Sequence, residues 1–358
     1  MDPINVLNST ILSLQPDQES KNAVVRGKII SDSVREQFEL IVGYWIVFFL
    51  SALGVITNSL TMIVFIRQGF RDSVNVSLFS IAVWDQIKCL SGVVYRLHGP
   101  VGLIDPVSGI ILKWASWPVL IYLPIFAGYV SYGLATYVSI ERCLSVSMPL
   151  KVKSLMKPRL TTWLMVGLSI IIFGSFSSVI FVYKVEYTFN SYYNTSLPRV
   201  TTGSLYFALN GVILKMYKYL GIFYPAIFCT IMTVSSAIIV IQLRRSAANF
   251  RPDRGKHGGR NTFGTTSVNL TPRDVKVTRM LLVVILVYIM DFFPRLCKYL
   301  ASLIEPEFFA YNRLHNLMQI ASNTIWILDF LNASVNFFIF MSMSTNFKTT
   351  FYETFRRS

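Results

Sequence analysis

The sequence is short of charge: Asp, Glu, Lys and Arg make up 14% of its 358 residues, against about one quarter in soluble globular domains. A soluble protein of this length needs that charged surface, so its scarcity argues against an ordinary soluble enzyme. A hydrophobic share of 53% and a mean hydropathy of +0.52 exclude a disordered chain. Cysteine is scarce too. Cys89, Cys143, Cys229 and Cys297 all sit inside apolar runs, which reads as buried free thiols rather than a disulfide framework. The three histidines, His98, His257 and His315, fall in loops, so no intramembrane metal or Ser-His set can be assembled and an enzyme is not expected. No internal repeat is visible, which weakens a transporter built from duplicated halves. Met1 to Glu39 lacks an apolar stretch of signal-peptide type, leaving the first apolar run as its own insertion signal.

What the chain does have is seven apolar runs, each long enough to cross a bilayer core of about 30 Å. They are Leu40 to Ile66, Val74 to Leu97, Pro118 to Val146, Leu160 to Tyr183, Val212 to Leu243, Val277 to Ile304 and Leu317 to Met341. The fold expected is an all-α membrane protein, a seven-transmembrane-helix bundle over residues 40–341 after a tail of residues 1–39. The formal charge of +15 would suggest nucleic acid on a soluble protein; here it lies mainly in alternate loops and reports topology instead. Lys151, Lys153, Lys157 and Arg159, the run from Arg244 to Lys276, and Lys348, Arg356 and Arg357 mark the inner side. The N-terminus is thus expected outside and the C-terminus inside, at the plasma membrane. Sequons at Asn8 and Asn194 fall on the outer side as glycosylation requires, and one at Asn269 falls inside. Residues 244–276, rich in Gly, Ser, Asn and Arg, read as a flexible basic inner loop. In residues 342–358, Phe347, Phe351 and Phe355 recur every four positions, the spacing of a short amphipathic helix on membrane lipid.

Polar groups inside spans are costly and therefore candidates for function. Asp85, Asn58, Ser131, Asn332 and Asn336 lie at comparable depth in the first, second, third and seventh runs. One carboxylate among such oxygen donors can hold a sodium ion or ordered water; a cluster satisfied within itself accounts for the same residues. Glu141 and Arg142 stand where the third run meets the inner loop, and Asp274 opens the sixth on that side. An arginine between two acids is a releasable latch, and snorkelling side chains are the plainer reading. Pro225 and Pro294 break backbone bonds within the fifth and sixth runs and provide pivots.

Taken together these residues resemble the rhodopsin-like (class A) G-protein-coupled receptors over nearly the whole chain. The resemblance is carried by Gly54 to Asn58, Leu78 to Asp85, Glu141-Arg142-Cys143 in place of D-R-Y, and Trp163. It continues with Pro225, Phe292-Phe293-Pro294 in place of W-x-P, and Asn336-Phe337-Phe338-Ile339-Phe340 in place of N-P-x-x-Y. The wording around GVITNSL and SIERCLSVSMPLKVK is similar to divergent molluscan chemosensory and peptide-type receptors. The resemblance implies an extracellular small-molecule or peptide ligand and outward motion of the sixth helix, with Phe292 and the prolines as its pivot. It also implies a heterotrimeric G protein as partner, Arg142 held by Glu141 and Asp274 at rest, and possible regulation by receptor kinase and arrestin. The chain departs from the family in lacking cysteines for the usual outer disulfide and in its altered switch residues, so a receptor-like protein that no longer couples, or a transporter, stays open.

The outer third helix reads Tyr122-Leu123-Pro124-Ile125, without the Asp of amine receptors, and the seventh run has no Lys for retinal. The outer halves offer Arg96, Lys215, Lys218, Arg295 and Lys298, with Asp291 and Asp329 deeper. The expected ligand is anionic or zwitterionic, with Arg295 clamping a carboxylate and Tyr122, Tyr217 and Trp326 as walls. Internal pairing of Arg295 with Asp329 is the alternative. No cofactor beyond the sodium ion is expected.

Overall fold

The computed structural model describes residues 29–148, 156–209, 211–249, 272–308 and 312–356, with the side chains of 246–249 and 272–274 outside the description. Asn8, Pro149, Leu150, His257 and Asn269 fall outside it. Seven helical stretches are long and apolar enough to cross a membrane: Asp32–Gln68, Ser73–Ile104, Pro106–Ser147, Pro158–Val182, Val212–Arg245, Val275–Ile304 and His315–Met343. The chain is a multi-pass membrane protein with a seven-helix bundle. A last helix, Thr345–Arg356, follows the seventh span.

Local chemistry sets the boundaries. Ser31 caps the first helix by accepting from the Val34 N–H, and Gly69, with φ 79°, closes it in a left-handed conformation. The Asp72 carboxylate accepts from the Val74 N–H and starts the second. The first span winds as a π-helix over Glu39–Ile46 before turning α-helical at Val47.

The third span is the hub. From Phe126 to Thr136 every residue is buried, and Tyr129, Tyr132, Tyr288, Phe176 and Phe292 are among the largest fully enclosed side chains. The fourth span lies at the rim, with Trp163 75% exposed and Ile170 and Ile171 beside it, which is where a helix faces lipid. Lipid gives helices no hydrophobic reason to associate, so close packing and hydrogen bonds hold the bundle. A Cβ on Gly54 would lie 2.3 Å from the Cys89 sulfur, so that glycine lets the first two spans touch. Asn58 Nδ2 donates to the Ala333 carbonyl at 2.9 Å, Ser334 Oγ to the Leu50 carbonyl at 3.1 Å, and Trp84 Nε1 to Ser169 Oγ at 2.9 Å. Such links average about 0.6 kcal/mol each.

Several boundaries differ from the sequence reading. The N-terminal tail does not run to residue 39, because Asp32–Phe38 is already helical. The stretch expected to be a loop before Pro118 is a helical hairpin, His98–Ile104 and Pro106–Leu120, and His98 and His315 both open helices. Asp105 caps the second arm by accepting from the Val107 and Ser108 N–H groups, with Pro106 in the first turn. A Cβ on Gly109 would meet the Gly102 Cα at 2.5 Å, so the two arms touch at glycine. The inner loop is shorter than 244–276, since the fifth helix continues to Asn249 and the sixth starts at Pro272. Between the fourth and fifth spans, β1 (Tyr183–Asn190) and β2 (Thr195–Thr202) form an antiparallel hairpin that the sequence reading left as a loop. Asn194 is exposed in its turn at φ 49°.

Candidate functional site

A buried charged cluster joins the second, third, sixth and seventh spans. Asp85, wholly enclosed, accepts from Ser131 Oγ at 2.9 Å on Oδ1, and from the Tyr288 hydroxyl and Asn336 Nδ2 at 3.2 Å each on Oδ2. The Lys88 ammonium, 1% exposed, stands 3.2 Å from Oδ1. Lys88 is one helical turn beyond Asp85, where residues three apart share a face. Four positively polarised groups therefore converge on this carboxylate.

A second layer lies against it. The Tyr132 hydroxyl contacts Asp291 Oδ2, and Asp329 Oδ1 at 3.0 Å. Asn332 Nδ2 donates to Asp291 Oδ2 at 2.9 Å. Arg295 pairs with Asp329, both nearly enclosed, and its guanidinium lies over the Tyr129 ring at 5.5 Å. Phe292 packs beneath with its centroid 3.9 Å from that of Tyr132, and against Tyr129 and Phe228. Pro294 thus sits between an aromatic plug and a buried ion pair on an unbroken helix; Pro225 likewise lies inside the fifth helix.

Of the four residues expected around Asp85, the structure brings Ser131 and Asn336 to it. Asn58 turns away, spending its amide hydrogens on the carbonyls of Gly54 and Ala333. Asn332 bonds Asp291 instead. The physical reason is rotation: equal depth does not mean equal facing, and a helix turns its side chains by about 100° per residue. A cavity of about 10 Å³ lies between Asn58 and Asn336. Lys88, Tyr132 and Tyr288 were missed, and the Asp85-x-x-Lys88 spacing was the available signal for the first.

Towards the hairpin end the expected walls divide into two groups. Tyr122 stacks on Tyr183 of β1, bonds its hydroxyl at 3.2 Å, and meets Trp117 and Tyr217 edge-on. On the other side, Trp326 and Phe330 take the Arg96 guanidinium over their rings at 5.9 and 5.5 Å. Arg96 otherwise bonds the carbonyls of Gly43 and Gly92, and no carboxylate pairs with it among the described residues. Lys298 is half-buried, and no carboxylate lies within ion-pair distance of it among the described residues. The carboxylate clamp expected of Arg295 is closed by Asp329 in this structure.

At the opposite end, Arg142 bonds Glu141 Oε1 at 2.8 Å, and the same oxygen accepts from Ser73 Oγ at 2.6 Å. Glu141 is buried while Arg142 keeps a partly open side chain. Ser73, unnoticed in the sequence, ties the pair to the start of the second span. Asp274 falls in the first turn of the sixth helix, with its side chain outside the described residues. A cavity of about 490 Å³ opens at this end, lined among others by Asp72, Lys276, Met280, Asn346 and Phe347. The terminal helix packs through Phe347 onto Phe65, Phe337 and Phe340, and through Phe351 onto Phe337; Phe355 stays exposed.

Seven apolar helices around a buried polar cluster, with a short helix packed across one end, define a seven-transmembrane architecture. Residues 45–358 match the family model for the serpentine type 7TM GPCR chemoreceptor Srw, and the chain belongs to that family. It is a GPCR-like chemosensory receptor. No curated protein matches it in sequence.

Proposed function

We propose that this receptor sits in the plasma membrane with the hairpin outside, binds an anionic or zwitterionic small molecule or peptide there, and activates a heterotrimeric G protein. The observation that carries the coupling is the Ser73–Glu141–Arg142 contact. It holds a partly open arginine on a buried acid at the end where the 490 Å³ cavity opens. Outward motion of the sixth helix about Pro294 would widen that end and open it to a partner that draws Arg142 from Glu141, a two-state change that ligand biases by binding one state better.

The ligand's charge follows from the outer half. Arg96 and Lys298 carry positive charge with no carboxylate paired to them among the described residues, and Arg295 reaches a ligand by exchange with Asp329. A zwitterion replaces both partners of that internal pair at once, its carboxylate on Arg295 and its ammonium on Asp329. Tyr122, Tyr217 and Trp326 supply apolar walls. The rhodopsin-like pattern of the helices supports this reading. Glycan on Asn194 is compatible with its exposed turn.

The test is guanine-nucleotide exchange in membranes holding the wild type or Arg142→Ala, against amino acids, small carboxylates and peptides. The expected result is a response in the wild type that Arg142→Ala loses while retaining ligand binding. Saturable binding with no exchange from any G-protein class would overturn the coupling.

A further inference from the structure

The cluster around Asp85 sets a charge problem. Among the described residues it contains three carboxylates, Asp85, Asp291 and Asp329, and two cations, Lys88 and Arg295. All are nearly or wholly enclosed, where an unbalanced charge is strongly disfavoured. Asp85 is already well supplied: its two oxygens receive three hydrogen bonds, and Oδ1 lies 3.2 Å from the Lys88 ammonium, which pairs by charge and makes no hydrogen bond, while Asn336 Oδ1 is left without a donor. A sodium ion would have to displace Lys88, which is fixed to the backbone one turn away.

Asp291 is the odd carboxylate. Tyr132 and Asn332 both approach its Oδ2, whereas Oδ1 is buried with no partner. The same amide that donates to Oδ2 leaves its own Oδ1 buried without a donor. A hydrogen on Asp291 Oδ1 would make that atom a donor, and Asn332 Oδ1, on the amide already bonded to this carboxyl, is an acceptor still lacking one, so the two orphans suit a reciprocal acid–amide pair. Tyr132 points the same way, having a single hydroxyl hydrogen for two carboxylates. If both were ionised they would repel across it; a neutral Asp291 removes that repulsion and brings the cluster to zero net charge.

We propose that this cluster is neutralised from within: Lys88 is the built-in counter-cation of Asp85, Asp291 holds a proton against Asn332, and no sodium ion is bound. The inference stands independently of ligand identity and G-protein coupling, because its readouts need neither. The full-length receptor is purified in lipid nanodiscs and its thermal unfolding followed by circular dichroism. Asp291→Asn, an uncharged isostere, should hold the midpoint within about 2 °C of wild type. Asp85→Asn and Asp329→Asn, which strand Lys88 or Arg295, should lower it by about 5 °C or more. The wild-type midpoint should be the same in sodium and choline chloride, and Lys88→Ala should fall in choline and recover in sodium. Infrared spectra of the wild type should show the carbonyl stretch of a protonated carboxyl that Asp291→Asn lacks. A saturable rise of the wild-type midpoint with sodium would overturn the proposal. So would Asp291→Asn as unstable as Asp85→Asn, no protonated-carboxyl band, or Lys88→Ala indifferent to both salts.

Discussion

Two acid–arginine pairs in this receptor are built differently. Arg295 and Asp329 come from different spans, are almost sealed, and share Tyr132 and Tyr129 with the rest of the cluster. Glu141 and Arg142 are neighbours in the chain, and Ser73 holds the acid while the arginine stays partly exposed. Burial makes the first pair costly to break, since loss of one partner would leave the survivor a stranded charge. Partial exposure makes the second pair easy to exchange, which suits a latch.

Breaking the sealed pair should have the largest effect. Asp329→Ala should lower unfolding stability by about 3–5 kcal/mol, whereas replacing Arg295 and Asp329 together by Met and Leu should recover most of it. Denaturant unfolding of single and double variants measures this, and an undisturbed single variant would remove the distinction between the pairs. Glu141→Gln comes next. It weakens a charge-assisted contact worth about 1.5–3 kcal/mol, so basal nucleotide exchange should rise about tenfold for each 1.4 kcal/mol lost from the resting state. Unchanged basal exchange in a folded variant would show that the contact does not restrain the receptor.

How far these pairs could be read from sequence follows their geometry. Glu141 and Arg142 are adjacent, so their pairing needed no knowledge of the fold. Arg295 and Asp329 lie on separate spans, and only their depth was visible; which of ligand or partner neutralised the arginine depended on how the helices were rotated. Asn58 shows the cost of reading depth alone, since its amide faces Gly54 and Ala333 rather than Asp85. Lys88 was more accessible, because three-residue spacing from Asp85 fixes a shared helix face. The seven spans were legible because lipid demands long apolar runs. The Pro106–Leu120 helix was obscured by the glycines, proline and lysine around it, although Asp105-Pro106 is a start signal. The hairpin lacked the tight two-residue turn that makes such pairs conspicuous, using Ser191–Asn194 instead.

Smaller effects extend the comparison to the hairpin end. Tyr122→Phe removes one phenol–phenol bond of 3.2 Å and should reduce stability by about 1 kcal/mol, read by denaturation; a loss approaching that of Asp329→Ala would mean that the hairpin contact matters as much as the sealed pair. The smallest effect is electrostatic. The hydrogen bond and charge of Lys184 hold the exposed Glu186 carboxyl below its ordinary range. A depressed value contributes stability present above the unfolded carboxylate range and lost as pH falls through the folded one. Hairpin amide protection from hydrogen exchange should therefore weaken slightly on acidification in the wild type, and Glu186→Gln should flatten that dependence.

Tyr122, stacked on Tyr183, and Trp117, edge-on to it, fix the hairpin without a covalent tether, since none of the four cysteines lies in or beside it. A disulfide would bound the hairpin's excursions until it was reduced. An aromatic clasp has a finite opening rate instead, accelerating with temperature and indifferent to thiols. Movement of this hairpin away from the third span is therefore timed by rings parting and closing again.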